Sequence, residues 1–162
     1  MMILLFLSFS APFLSGCGNK RVPPEGMPTL YRCLIRITQN DQPLADAVVA
    51  LHSTSENFLW TINGRTDENG QAEIFTHGYF RGAPSGDFKV TVDKLETVVP
   101  PLPEVMPTSE SELTKLFNKR EEEIKEYRLV DIRFTQAELT PFSINVNKKM
   151  GIISLDLSTA TN

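Results

Sequence analysis

Short runs in which apolar and polar residues alternate, each closed by turn-forming residues, recur along this chain from Leu30 to Leu157. That two-residue period is the signature of strands with one buried face, so it constrains the fold more than any other feature. Leu30 to Thr38 places Cys33, Ile35 and Ile37 on one face, and Asn40-Asp41-Gln42-Pro43 then supplies a turn. Ala45 to His52 resumes with Ala47, Val49 and Leu51 inward. Phe58 to Thr66 reads as a third strand, with a bulge or bend at Asn63-Gly64. Asp67-Glu68-Asn69-Gly70 is the strongest turn signal in the chain: Asp67 can accept backbone N–H groups two residues on, and Gly70 supplies a positive φ at the corner. Gln71 to Thr76 and Phe88 to Val92 follow, then Phe142 to Asn147 and Ile152 to Leu157. About seven short strands divided by turns predict a mainly β, two-layer antiparallel sandwich.

One segment breaks the series. Pro100 to Pro107 admits no regular element, and Ser109 with Glu112 has the spacing of a capping box. Leu113, Leu116, Phe117, Ile124 and Tyr127 recur at helical spacing, with Glu121 four residues before Lys125. Residues 100–128 are therefore expected to be an insert containing one amphipathic helix, docked by its narrow apolar stripe, with Glu121, Glu122 and Glu123 in water.

The N-terminus obeys a different rule. Residues 1–16 hold no charge, and the apolar stretch Met1 to Leu14 is too short to span a bilayer as a helix, which takes about 20 residues. It has the length of a secretory signal core. The tetrapeptide Leu14-Ser15-Gly16-Cys17 that closes it resembles the bacterial lipobox, although no Lys or Arg precedes Lys20. The resemblance implies cleavage after Gly16, a diacylglycerol on Cys17 and an acylated new amino group. Two or three acyl chains, at about 0.8 kcal/mol per buried methylene, hold a protein on a membrane without a spanning helix. Residues 17–29, rich in proline and glycine, then read as the lipidated cysteine and its tether, and residues 30–158 as the folded domain. Gly18 stands where an Asp would resemble an inner-membrane retention signal, which places the expected anchor in the cell envelope on the outer membrane or facing the periplasm.

Three segments resemble a known family. They are Pro43-Leu44-Ala45-Asp46-Ala47-Val48-Val49, Gly64 to Ala72 (GRTDENGQA), and Ala83 to Val92 (APSGDFKVTV). These, with Thr140-Pro141-Phe142-Ser143-Ile144-Asn145-Val146 and Leu155-Asp156-Leu157, are similar to the carboxypeptidase regulatory-like, transthyretin-like domains, and more narrowly to the small lipoproteins of planctomycetes and related bacteria that carry one. The resemblance implies a transthyretin-like (immunoglobulin-like) β-sandwich with a structural or interaction role. Asp46 stands where that pattern usually has glycine.

Composition narrows the chemistry. Sixteen Lys plus Arg against twenty Asp plus Glu leave a net charge of −4, which does not suit binding driven by phosphate neutralisation, so no nucleic-acid partner is expected. With Cys17 expected to be acylated, Cys33 and two His remain, too few for a zinc site of four Cys and His ligands. The C-terminal Tyr-Arg-Gly-Ser motif that marks the hydroxyisourate hydrolases of the transthyretin fold is not present, nor is His-Glu-x-x-His, Gly-x-Ser-x-Gly or a P-loop. Asp67, Glu68 and Asn69 cluster oxygen atoms without the spacing of a calcium loop, and turn chemistry explains them equally. The expectation is a non-enzyme with no metal and no cofactor. Its alternative is a carbohydrate- or peptide-binding module built from aromatics at one end of the sandwich: Tyr79, Phe80 and Arg81, with Phe58 and Trp60 nearby. Trp60 is expected in the core, Tyr79 and Phe80 on the surface, and Cys33 as a buried small hydrophobe rather than a reactive thiol.

Overall fold

The computed structural model describes residues 21–55 and 57–158; the apolar stretch 1–14, Gly16 and Cys17 lie outside the described residues. The domain is mainly β. In chain order its strands are β1 (Leu30–Tyr31), β2 (Leu34–Gln39), β3 (Gln42–Pro43), β4 (Val48–Ser53), β5 (Ile62–Arg65), β6 (Gln71–Glu73) and β7 (Phe75–Thr76). There follow β8 (Phe80–Arg81), β9 (Ala83–Pro84), β10 (Gly86–Asp93) and β11 (Leu95–Val98). The helix α1 (Glu110–Glu123) separates these from β12 (Lys125–Arg128), a 3-10 turn at Ile132–Phe134, β13 (Ser143–Val146) and β14 (Ile152–Asp156).

A six-stranded antiparallel sheet runs β13-β10-β4-β5-β7-β8, and a smaller sheet is centred on β2, flanked by β14 and by β3 and β6. Alternation along the central strands decides which side chains the sheets share. Cys33, Ile35 and Ile37 around β2, Val49 and Leu51 on β4, and Phe88, Val90 and Val92 on β10 are all buried, in one apolar cluster with Ile74, Ile144, Val146 and Leu157. This is the arrangement of a β-sandwich. One pairing departs from the expected antiparallel plan: β14 runs parallel to β2, from Ile152 opposite Leu34 to Asp156 opposite Thr38. The chain reaches β14 by crossing from the large sheet to the small one, and a crossover, unlike a hairpin, does not impose antiparallel pairing.

Turn chemistry closes the hairpins. Asn40 and Asp41 both take positive φ (52° and 60°) between β2 and β3, as a two-residue type I′ connection demands. At the next corner, the Asp67 carboxylate accepts the backbone N–H of Asn69 at 2.9 Å and of Gln71 at 2.8 Å, and Gly70 sits at φ 70°. Asp46, where the family pattern has glycine, is also left-handed (φ 57°), and its carboxylate meets Arg65 at 2.8 Å. Aspartate tolerates that conformation better than most side chains.

Three sequence expectations change here. The strand expected from Ala45 begins only at Val48, because the left-handed turn at Asp46 precedes it. Asn63-Gly64 makes no bulge: Gly64 pairs regularly with Val49, and its missing side chain leaves room for the Glu73 carbonyl oxygen, which would lie 2.4 Å from a Cβ. The insert is also built differently. Helix α1 buries none of its residues, and Phe117 is 50% exposed. The Ser109 side chain meets Ser111 rather than capping the helix, so the capping box is not formed. Ile124 caps the C-terminus, and Tyr127 belongs to β12, which pairs with β11 in a fully exposed ribbon. The apolar repeat continues past the helix end, so periodicity alone could not locate the boundary.

Val98 lies opposite Lys125 in that ribbon, so the ends of the 100–123 segment are close together. Replacing residues 100–123 with a short Gly/Ser linker is expected to change stability by only about 1 kcal/mol, since closure entropy depends weakly on loop length. Circular dichroism should show loss of helical signal with a retained cooperative β transition. An unfolded product would make the helix a structural layer.

Candidate functional site

The residues expected to bind lie on two segments, 57–60 and 77–82, and the segment 21–28 passes beside both. Local chemistry fixes the second. His77 and Gly78 both adopt positive φ (55° and 73°) at the tip of the turn, and Tyr79, which follows them, donates its N–H to the Thr76 carbonyl at 3.3 Å. The buried Thr76 hydroxyl donates to the Gly82 carbonyl at 2.7 Å and ties the base of this hairpin. Gly82, at φ 104°, packs so closely on the Tyr31 carbonyl that a Cβ would lie 2.4 Å from its oxygen. The turn is thus held rigidly against β1.

The structure separates the roles of the trio. Tyr79 is 59% exposed, and the Arg21 guanidinium stacks over its ring at 3.6 Å from the centroid. Phe80 is half-buried in β8, and Arg81 is exposed in an ion pair with Glu73 at 3.2 Å, which Arg32 also reaches at 3.4 Å.

Trp60 corrects an expectation. It stands before β5 and is half-buried rather than in the core, its ring edge-on to His77 with centroids 6.0 Å apart. Phe58 does pack on the core, edge-on to Phe88 at 5.8 Å. The two-residue spacing suggested one face of one strand, but the backbone from Asn57 to Thr61 is irregular and the shared face does not form. Two open hollows adjoin Trp60. One, of about 380 Å³, is bordered by His52, Ser53, Phe58, Thr61 and Asn63. The other, of about 450 Å³, lies between Phe58, Leu59 and the segment carrying Glu25, Gly26 and Pro28. Neither is lined by Tyr79, Phe80 or Arg81. The imidazole of His52 shares a 2.8 Å hydrogen bond with the Thr91 hydroxyl, which is buried beneath it.

The Asp67 carboxylate is engaged by the turn itself, and among the described residues no group of three or more His, Cys, Asp or Glu is placed to hold a metal ion. Cys33 is completely buried, and burial pushes its thiol up from 9.0 to about 11. The folded state therefore favours the protonated thiol. That stabilisation is fully present below pH 9 and is lost as pH rises toward 11. A shift of this size is worth about 3 kcal/mol. Thermal melts between pH 8 and 11 should show a steeper loss of stability for the native chain than for Cys33→Ala. Equal slopes would remove the thiol from the account.

Comparison of the chain with protein-family models, with curated proteins and with solved structures finds no match. Among the described residues, no helix is long and apolar enough to cross a membrane.

Proposed function

We propose that this chain is a lipid-anchored protein of the cell envelope, exported and held by acylated Cys17, whose transthyretin-like β-sandwich serves a structural or interaction role rather than a catalytic one. The observation that carries the reading is the uncharged apolar stretch ending in Leu14-Ser15-Gly16-Cys17, followed at once by a polar, proline-rich tether. The fold is consistent with the family resemblance at particular positions. The Pro43 to Val49 motif runs from β3 into β4, the Gly64 to Ala72 motif forms the corner between β5 and β6, and the Ala83 to Val92 motif covers β9 and β10. Asp46 adopts a left-handed conformation at the family's glycine position, which supports the same alignment. A second reading, a module that binds a glycan or peptide, draws on the hollow where Trp60 stands beside Thr61 and Asn63.

Cys17→Ser tests the anchor. The native chain should sediment with membranes after a high-salt wash, whereas the variant should move to the supernatant, because losing acyl chains removes almost all bilayer affinity. A variant that still sediments would overturn the reading.

A further inference from the structure

The segment nearest the lipidation signal meets the folded domain at a defined place. Arg21 stacks on Tyr79, and Glu25, Gly26 and Pro28 pass beside Phe58, Leu59 and Trp60. Trp60 in turn contacts His77, in the turn that carries Tyr79. The chain from Arg21 to Pro28 therefore runs along one end of the sandwich. Four peptide links join Arg21 to Cys17, so even a fully extended path keeps the Cα of Cys17 within about 14 Å of Arg21. Whatever membrane holds Cys17 lies close to this end.

Among the described residues, the same end carries exposed apolar side chains. Leu59 is 88% exposed and Val22 86% exposed, beside the exposed Tyr79 and the half-buried Trp60. Arg21 stands among them, with Arg32 and Arg81 close by on Glu73. Tryptophan and tyrosine, each apolar with one polar edge, settle at the depth of lipid headgroups, and arginine pairs there with lipid phosphates. The elements that the tether does not touch present a different surface. The helix carries Glu110, Glu112, Glu121, Glu122 and Glu123 against Lys115, Lys119 and Arg120, a net negative charge that anionic headgroups repel.

We propose that the Leu59-Trp60 loop and the Tyr79 turn rest on the bilayer that carries the anchor, so that anionic phospholipid is the partner of this end of the sandwich. The inference rests on the reading that Cys17 is acylated. Once the acyl chains hold the domain at the surface, contacts too weak to recruit it alone fix its orientation, because their effective concentration is high. The α1 end is then turned toward the aqueous phase.

Trp60 is the sole tryptophan of the chain and reports directly on the contact. The mature lipidated protein, reconstituted in vesicles of phosphatidylglycerol and phosphatidylethanolamine, should float with the lipid. A headgroup-depth spin-labelled lipid should quench its emission by about half, and acrylamide quenching should fall several-fold relative to Leu59→Glu in the same vesicles. The Leu59 side chain is almost wholly exposed, so that variant should keep its fold and its flotation. Native protein that floats while Trp60 stays open to acrylamide and untouched by the labelled lipid overturns the proposal and leaves the anchor standing. It would also free this end for a glycan or peptide. Equal acrylamide quenching of native protein and Leu59→Glu overturns it too, and native protein that fails to float overturns both the anchor and the contact.

Discussion

Gly70→Val should lower the melting temperature of the domain by roughly 10–20 °C, corresponding to about 3–5 kcal/mol. Two costs act together. A β-branched side chain is forced to φ 70°, which costs on the order of 1–3 kcal/mol. Its Cβ would also lie 2.4 Å from the Ile37 carbonyl oxygen, so either the corner or strand β2 must shift. That shift strains the bond from Ile37 N–H to the Gly70 carbonyl, now 2.8 Å, which joins the corner to the central strand of the smaller sheet. Asp67→Ala removes two charge-assisted bonds at an exposed turn and should cost less, about 1 kcal/mol. Thermal denaturation of the two variants should rank them in that order. A Gly70→Val domain as stable as the native chain would show that the corner relaxes freely. A calcium-dependent rise in melting temperature that vanishes in Asp67→Ala would make the corner a metal site rather than a turn.

Phe88→Ala should cost about 3–5 kcal/mol, because the ring is 2% exposed on a strand hydrogen-bonded on both sides, to β4 and β13, and the cavity left behind cannot close by local collapse. Its second consequence reaches the candidate site. Phe58 loses the ring it meets edge-on, and with it the contact that fastens the 57–60 loop to the core. Acrylamide should therefore reach Trp60 more readily in Phe88→Ala than in Phe88→Leu, whose stability loss should be about 1 kcal/mol. Chemical denaturation with tryptophan fluorescence measures both. Unchanged Trp60 accessibility would mean the loop is held by something other than Phe58.

The buried faces of β2, β4 and β10 were legible in the sequence, because alternation over Cys33 to Ile37, Ala47 to Leu51 and Phe88 to Val92 maps onto one core. The corners at Asn40 and Asp67 were legible for a similar reason: a few side chains stabilise those dihedrals, and they occur there. What escaped depends on tertiary placement. Val130 and Phe134 are core residues, Phe134 stacked on Phe142 at 5.5 Å, but they lie on an irregular segment with no period to betray them. The parallel β14 depends on a crossover that local patterning does not encode. Trp60 carried a strand-like spacing in a segment that forms no strand. At the candidate site the aromatics were visible individually, whereas the stacking of Arg21 on Tyr79 joins residues far apart in the chain and only the fold brings it about.

The central claim is that the chain is held in the envelope through Cys17. Mass spectrometry of the mature N-terminal peptide, from protein purified out of the membrane fraction, tests it most directly. The mature chain should begin at Cys17, lack residues 1–16 and carry a thioether-linked diacylglycerol with an acylated amino group. A membrane-fraction chain that retains Met1, or one in which the Cys17 thiol is unmodified, would contradict it.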